Sequence, residues 1–278
     1  MNDTDAAGTR HAPAGDAARI VCLVPSITEL LFDLGLGDNV VGRTGFCIHP
    51  AQFIDAIPRV GGTKTPRLDR IADLRATHAI VNIDENRRED AQALRQMGVE
   101  VIVTHPCEPT DNLALFMLMG TVFNRLTAAQ ALCQRFDAAL SRLREVAAQR
   151  PRRRVLYLIW REPWMTISPD TYIAKTLAAA GLDVANIDDA ARYPQVAIDS
   201  TLLTQVDEVL LSSEPYPFKS THRSELQAAG GPQGPAVNFI DGEMTSWYGS
   251  RAIAGCSYLA GLRTQHENHD PAPYTRTP

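Results

Sequence analysis

Cys47 and His49 are the residues whose types and spacing could bind a metal ion. They stand two positions apart, so in an extended segment both side chains project to the same side. A thiolate and an imidazole are ligands that zinc and other transition metals accept, and His222 is the third ligand that we expect at such a site. The alternative is a buried thiol and a histidine that caps a loop before Pro50.

The same cysteine and histidine could also serve a hydrolase, in which the histidine activates a thiolate nucleophile. Neighbours on one face of a strand project in parallel instead of facing one another, and this spacing disfavours such catalysis. The sequence also contains no G-x-S-x-G elbow, H-E-x-x-H zinc motif or G-x-G-x-x-G nucleotide fingerprint. It therefore predicts a protein that is not an enzyme.

Aromatic and charged residues are concentrated in the predicted turns of the second half of the chain. Because aromatic residues make up only 6% of the composition, rings at the ends of strands indicate a surface that grips something flat or apolar. The alternative is that these rings only cover the ends of the sheet. Together with nearby polar groups, the predicted ligand-binding residues are Lys64, Glu85, Trp160, Arg161, Trp164, Arg192, Trp247, Tyr248 and Arg251.

The elements that must position these residues alternate between strands and helices. This alternation covers residues 19–104 and 155–262, and it is typical of parallel α/β structure. Between them, residues 111–150 have the spacing of helix alone, and the second helix there should run for about 22 residues. The fold class predicted is α/β, with two Rossmann-like lobes joined by a long backbone helix and a ligand cleft between the lobes.

The boundaries follow from the same pattern. We expect a disordered N-terminal segment (1–18), an N-terminal α/β lobe (19–110), a backbone helix region (111–150), a C-terminal α/β lobe (151–264) and a flexible tail (265–278). A capping box at Ser26 and Glu29 should begin the first helix.

Composition excludes several classes of protein. The 278 residues carry a formal net charge of −5, so no basic field exists to hold nucleic acid or an anionic membrane. Apolar runs are too short for membrane insertion. Five scattered cysteines do not indicate a disulfide scaffold. The first 19 residues lack the basic and apolar regions of a signal peptide, which predicts a cytoplasmic protein unless an exported precursor differs.

Several longer motifs resemble a known family. They are Val24-Pro25-Ser26-Ile27-Thr28-Glu29-Leu30-Leu31, Gly35-Leu36-Gly37-Asp38, Val60-Gly61-Gly62-Thr63-Lys64 and Leu68-Asp69-Arg70-Ile71. They resemble the N-terminal lobe of class III periplasmic binding proteins, which serve ABC importers of cobalamin and iron–siderophore complexes. Motifs in the second half, such as Trp160-Arg161-Glu162-Pro163-Trp164, are similar to a helical-backbone metal receptor subgroup.

The resemblance implies a fold, a ligand class and partners. Members have two α/β lobes bridged by a long helix, and they work in the periplasm. They dock on an ABC transporter permease through an acidic residue on each lobe, to which Asp69 and its pseudo-repeat partner Asp199 correspond here. The ligand implied is a small metal chelate such as cobalamin, heme or a ferric siderophore, with no cofactor bound covalently.

Two principal hypotheses follow. In the first, the chain is the substrate-binding protein of an ABC importer for a cobalamin-like or iron–siderophore ligand. In the second, it is a cytoplasmic metal or corrinoid binder or sensor on the same scaffold, with Cys47, His49 and His222 as ligands of a bare metal ion. The cysteine–histidine enzyme is a third hypothesis, which the parallel projection of the two side chains disfavours.

Overall fold

A computed structural model describes residues 3–15, 17–188 and 191–265 of the chain. The chain divides into two units. Unit 1 comprises Met1–Pro106, Thr110–Asp137 and Tyr248–Arg251, and unit 2 comprises Cys107–Pro109, Ala138–Trp247 and Ala252–Pro278. Tyr248–Arg251 therefore pack in unit 1, although the sequence pattern places them within the C-terminal lobe.

Unit 1 is built on a parallel sheet. Its elements in chain order are β1 (Ile20–Cys22), α1 (Pro25–Asp33), β2 (Val40–Arg43), α2 (Ala51–Ile54), α3 (Leu68–Asp73), β3 (His78–Asn82), α4 (Arg88–Gln96), β4 (Glu100–Thr104), α5 (Asp111–Val122) and the first part of α6 (Leu126–Ala148). The four strands are all parallel, in the order β2-β1-β3-β4. All four carboxyl ends therefore lie at one edge of this sheet.

Unit 2 repeats the architecture with one antiparallel addition. After the last part of α6 come β5 (Arg153–Trp160), β6 (Met165–Thr166), α7 (Tyr172–Ala179), β7 (Leu182–Val184), α8 (Ser200–Leu203), β8 (Glu208–Ser212), α9 (Ser220–Gly230), β9 (Ala236–Ile240), α10 (Gly242–Ser246) and α11 (Arg251–Gln265), whose first residue belongs to unit 1. The strand order is β6-β5-β8-β9, with β7 paired to β5; β6 alone is antiparallel.

The apolar cores explain why these segments fold as they do. In unit 1, alternate residues of β1, β3 and β4 pack with the inner faces of α3 and α4, and their side chains are at most 8% exposed. In unit 2, residues of β5, β8 and β9 pack with α8 and α9 in the same way. Strands covered in this way by helices require the near-continuous apolar runs that the sequence shows. The parallel sheets confirm the predicted α/β class.

The long helix predicted between residues 111 and 150 is α6, which has 23 residues. At about 1.5 Å per residue it is ~34 Å long. Its residues up to Asp137 belong to unit 1 and those from Ala138 to unit 2. Among the described residues, no helix combines the length and the apolar character needed to span a bilayer.

The N-terminal segment differs from the prediction of disorder. Asp5 and His11 are buried, and the amide of Ala6 donates to the carbonyl of Val103 on β4 at 2.9 Å. Asp5 Oδ2 accepts the amide of Val103, and His11 Nδ1 lies 2.6 Å from Glu100 Oε1. Polar composition suggested a mobile chain, but these residues instead satisfy the free edge of β4. Of the tail predicted at 265–278, Gln265 is the last residue of the final helix, and residues 266–278 lie outside the described residues.

The start of α1 is also different. Its N-cap is Val24 and Pro25 is its first residue, so no side chain caps the helix. Proline is favoured at this position because its missing N–H would be unpaired in any case. Ser26 lies inside the helix, and the carboxylate of Glu29 pairs with Arg251 instead of with the helix terminus.

Candidate ligand-binding site

The loops that follow β2, β3 and β4 (residues 44–50, 83–86 and 105–106) are called the unit 1 loops here. Cys47 lies in the first of them and is fully buried. Thr28 Oγ1 donates to Cys47 Sγ at 3.1 Å, and Thr44 Oγ1 lies 3.2 Å from the same sulfur. Buried Arg43 donates to the Cys47 carbonyl at 3.0 Å and holds the loop. Burial raises the pKa of Cys47, so its thiol is neutral and inert.

The three predicted metal ligands do not form a metal site. Across the described ranges, no group of three or more histidine, cysteine, aspartate or glutamate side chains could hold a metal ion. His222 Nδ1 accepts the amide of Lys219 at 2.9 Å at the start of α9. That bond uses the lone pair of Nδ1, so in the neutral ring the other nitrogen carries the proton and is a donor, not a ligand. Cys47 and half-buried His49 stay in the first unit 1 loop.

Glu85 is the predicted binding residue with the most defined surroundings in unit 1. The buried hydroxyl of Tyr248 donates to Glu85 Oε1. Burial raises the pKa of Tyr248, and the charge of Glu85 raises it further. Exposed Lys64 donates its Nζ to the carbonyl of Asp84 at 2.7 Å, so its ammonium group lies beside the second unit 1 loop. Lys64 and half-buried Glu85 are therefore accessible, whereas Tyr248 supports the loop from inside.

Arg251 has a structural role in unit 1. Its Nε and Nη2 atoms donate to the two carboxylate oxygens of Glu29, both at 2.7 Å, and both side chains are largely buried. In a bidentate pair of this kind, the planar guanidinium makes two parallel hydrogen bonds to the carboxylate. The prediction that Arg251 contacts ligand is therefore replaced by a role in fastening the start of α11 to α1.

Exposed apolar side chains in the unit 1 loops were missed by the sequence analysis. Phe46 is 63% exposed, Ile48 39% and Ile83 49%. Each follows a buried strand, β2 or β3, whose carboxyl end opens onto the same edge of the sheet. The signal was available in the sequence as large apolar residues placed after a strand, where turn residues are expected.

An aromatic cluster lies at the strand ends of unit 2. It consists of Trp160, Trp164, Tyr216, Phe218 and His222. Trp160 and Tyr216 meet edge to face at 5.4 Å between ring centroids, and Trp164 and Phe218 stack at 5.9 Å. Tyr216 lies 4.9 Å from Phe218, and His222 contacts both. The rings come from the ends of β5 and β8, which are adjacent parallel strands. Trp160 remains 41% exposed, so its ring is open to a ligand.

Arg161 is fixed against this cluster. Its guanidinium carbon lies 4.7 Å from the centre of the Trp164 ring, a cation–π distance. Its Nη2 donates to Glu225 Oε1 and its Nη1 to Glu162 Oε1, both at 2.7 Å. The hydrogen bond with Glu225 raises the pKa of Arg161. Two protein carboxylates already balance its charge, so its remaining N–H can donate to a neutral acceptor such as a ligand amide oxygen.

Trp247 does not present its ring to solvent. It is 9% exposed, and its Nε1 donates to Glu214 Oε1 at 2.8 Å. Ser246 Oγ donates to the same oxygen at 2.9 Å. Burial raises the pKa of Glu214, and the charges of Glu243 and Asp241 act in the same direction. The predicted binding role of Trp247 is thus replaced by a structural one, and Glu214 is the buried acid that organises the turn.

The remaining predicted residues are one arginine of unit 2 and two exposed aspartates at the starts of helices. Arg192 Nη1 lies 3.5 Å from Asp170 Oδ2 in unit 2. Asp69 is exposed in the first turn of α3 and pairs with Arg67 at 2.7 Å. Asp199 is exposed and caps α8 by accepting the amide of Leu202 at 2.8 Å.

Known proteins similar to this chain share the α/β architecture. A vitamin B12-binding protein of Vibrio campbellii is 23% identical over 199 residues, covering 72% of each chain. The crystal structure of the periplasmic vitamin B12-binding protein of Vibrio cholerae has a TM-score of 0.77 at 19% identity, covering 91% of this chain and 99% of that one. The apo periplasmic heme-binding protein of Roseiflexus sp. RS-1 has a TM-score of 0.75 at 20% identity, covering 89% and 97%.

These relatives fit the substrate-binding hypothesis and do not fit the alternative of a cytoplasmic sensor. The family model described as "Periplasmic binding protein" matches residues 20–228, which is more than half of the chain. The match confirms the resemblance drawn from the motifs, and the family is one of binding proteins and not of enzymes. The chain belongs to the periplasmic binding protein family.

Proposed function

We propose that this chain is the substrate-binding protein of an ABC importer and that its ligand is a planar, metal-centred macrocycle of the corrinoid or heme kind. The observation that carries the proposal is the aromatic cluster of unit 2. Its rings stand at the carboxyl ends of parallel strands, where α/β proteins bind their ligands. The vitamin B12- and heme-binding names of the relatives support the same ligand class.

The ligand chemistry follows from what the cluster offers. Trp160 presents a partly exposed indole ring that contacts Tyr216, and Tyr216 in turn contacts Phe218. A flat macrocycle can stack on such a ring, while Arg161 donates to an amide oxygen at its rim. Unit 1, taken by itself, presents apolar side chains at Phe46, Ile48 and Ile83 and polar groups at Lys64 and Glu85.

Titration of the purified protein tests the ligand class. Cyanocobalamin, cobinamide, heme and a ferric hydroxamate siderophore are added separately and followed by calorimetry and by quenching of tryptophan fluorescence. The chain has only three tryptophans, and among them Trp160 is the most exposed, so a stacked macrocycle should quench emission strongly. Saturable binding of a macrocycle is expected. Saturation by the siderophore alone, or by none of the four, would contradict the proposal.

Trp160→Ala is the sharpest variant for this test. Loss of the stacking surface should weaken macrocycle binding about tenfold or more, because a stacked aromatic contact with its buried area contributes roughly 1.5–3 kcal/mol. Met97→Ala is the matched control, because Met97 is 40% exposed but lies between α4 and β4, at the opposite edge of the unit 1 sheet from the unit 1 loops. Equal affinities of the two variants would exclude Trp160 from the site.

The partner proposed is an ABC transporter permease, contacted through Asp69 and Asp199. Both carboxylates are exposed, as a docking contact requires. Asp69→Asn and Asp199→Ser should each slow ligand uptake in cells that carry the importer, while ligand affinity is unchanged. Serine keeps the N-cap of α8 and removes only the charge. Asp73→Asn, another exposed acid of α3, is the control and should leave uptake unchanged.

The location proposed is the periplasm, supported by the periplasmic names of the structural neighbours. Osmotic-shock fractionation of the native host, with an antibody against this chain, tests it. Recovery with the periplasmic marker enzymes is expected. Recovery with cytoplasmic markers would contradict the location while leaving the ligand titrations interpretable.

A further inference from the structure

Four arginines lie together near the start of β5 in unit 2: Arg150, Arg152, Arg153 and Arg263, called the arginine cluster here. Arg153 is the first residue of β5, whereas the aromatic cluster follows the other end of the same strand. Arg263 comes from α11, and its Nη2 donates to the carbonyl of Pro151 at 2.6 Å. The cluster is therefore separate from the ligand-binding residues of unit 2.

The carboxylates near the arginine cluster do not balance its charge. Arg152 forms a two-pronged pair with Asp183, at 2.7 and 2.5 Å. Arg153 donates to the fully buried carboxylate of Glu208 at 3.2 Å, and Asn238 also donates to that carboxylate. These two carboxylates engage two of the four guanidinium groups.

Among the described residues, the other two guanidinium groups donate only to carbonyl oxygens. Arg150 Nη1 donates to the carbonyl of Val146 at 3.4 Å, and Arg263 donates to that of Pro151. The charge of Glu208 also acts on Arg263, but this carboxylate already accepts from Arg153, so two carboxylates face four guanidinium groups. The charges of Arg150, Arg152 and Arg153 accordingly act on Arg263, where burial lowers the pKa and these neighbours lower it further.

Two buried N–H groups in the cluster have no acceptor. Within the described part of the chain, the Nε atoms of Arg150 and Arg263 are shielded from solvent and have no hydrogen-bond partner. Arg263 is only 2% exposed. A buried donor without a partner is unfavourable by about 1–3 kcal/mol, and more for a charged group, so native proteins normally satisfy it with a water or an ion. Two such donors on neighbouring cations favour an anion.

We propose that the arginine cluster binds a phosphate group. A tetrahedral oxyanion offers several acceptor oxygens and a double negative charge, and planar guanidinium groups bind such oxygens in pairs. Arg150 and Arg153 are both partly exposed, so their terminal N–H groups are open to an anion from solution. The phosphate can come from solution or from the headgroup of an anionic lipid. The proposal is independent of the macrocycle site.

Thermal unfolding in inorganic phosphate tests the proposal. The unfolding midpoint is measured from 0 to about 10 mM phosphate, and chloride is exchanged for phosphate so that the ionic strength stays constant. Phosphate that binds the folded state raises the midpoint once its concentration exceeds Kd. In wild-type protein the midpoint should rise with the logarithm of the phosphate concentration once that concentration exceeds Kd, and Arg150→Gln should weaken the Kd fitted from this dependence at least tenfold. Arg142→Gln is the control, since Arg142 is an exposed residue of α6 that pairs only with Glu145 among the described residues.

A second variant and a second probe complete the test. Arg150→Lys keeps the charge but loses the forked donor geometry, so it should bind phosphate with intermediate affinity. Co-sedimentation with phosphatidylglycerol vesicles, against phosphatidylcholine vesicles, identifies the source. Phosphate response without vesicle binding assigns the site to a soluble phosphate, and vesicle binding that Arg150→Gln abolishes assigns it to a headgroup. Absence of both, or equal responses of Arg150→Gln and wild type, would overturn the proposal.

Discussion

Gly255→Ala should destabilise unit 2, although alanine is the better helix former. Gly255 lies in α11, and a Cβ atom added there would stand 2.3 Å from the carbonyl oxygen of Met244 in α10. Ordinary carbon contacts are about 3.5 Å, so the two helices would have to separate by roughly 1 Å. The obstacle is backbone, and no side-chain rotation can relieve it. Because α10 leads directly to Trp247, the shift also disturbs the turn around Glu214.

The magnitude is set by two opposing effects. Replacing a helical glycine by alanine stabilises by about 1 kcal/mol, whereas overpacking a well-packed contact costs about 1–3 kcal/mol. The clash at Gly255 is severe, so we expect the free energy of unfolding to fall by about 1–2 kcal/mol in total. For a protein of this size that lowers the unfolding midpoint by roughly 2–8 °C.

Gly261→Ala is the matched control in the same helix. Among the described residues, no atom beyond its chain neighbours and the adjoining helix backbone lies within 4 Å of the position that its Cβ would occupy. Only the propensity effect remains, so the midpoint should rise by roughly 2–4 °C. Scanning calorimetry of both variants measures the contrast. A Gly255→Ala protein that is as stable as Gly261→Ala would refute the close approach of α11 to α10.

Three further variants test the hydrogen bonds beneath the candidate site. The raised pKa of Glu214 means that its proton stabilises the folded state below the unfolded pKa and that this contribution is lost as pH rises through the folded pKa. Glu214→Gln, which cannot ionise, should therefore gain stability relative to wild type as pH rises above the ordinary value of 4.5, as measured by urea titration. Tyr248→Phe loses the bond to Glu85 and should lower the unfolding free energy by about 1–3 kcal/mol. Arg251→Gln leaves the largely buried carboxylate of Glu29 without its partner and should cost roughly 2–3 kcal/mol by thermal unfolding.

Backbone architecture could be predicted from the sequence because local patterns determine it. The strand–helix alternation predicted from residue 19 begins with β1 at Ile20–Cys22, and the helical region predicted at 111–150 contains α5 and α6. The long helix was predicted to within a residue or two because three- and four-residue spacing is regular over its whole length. Periodicity of this kind is a property of the segment alone, so no knowledge of distant residues was needed.

The N-terminal segment shows where local reasoning stops. Its polar, small residues have the composition of a mobile chain, yet Asp5 pairs with an amide of β4 that lies 98 positions away in the sequence. A free strand edge offers unpaired donors to any segment that can reach it. Composition gives no indication of which segment does so, because the contact depends on chain geometry and not on the residues themselves.

In the candidate site, too, the sequence predicts which residue types lie there but not which of them are exposed, as Trp160 and Trp247 illustrate. Trp160 ends β5 and Trp247 follows α10, and the same ligand-binding role was predicted for both. Trp247 is buried and its indole N–H donates to Glu214, 33 positions earlier, whereas the Trp160 ring contacts Tyr216 and keeps 41% of its surface exposed. An indole whose N–H group is hydrogen-bonded within the protein supports the fold, whereas an indole with an exposed ring is available to a ligand. The proposed recognition of the ligand in unit 2 therefore depends on Trp160, which makes its alanine variant more informative than substitution of Trp247.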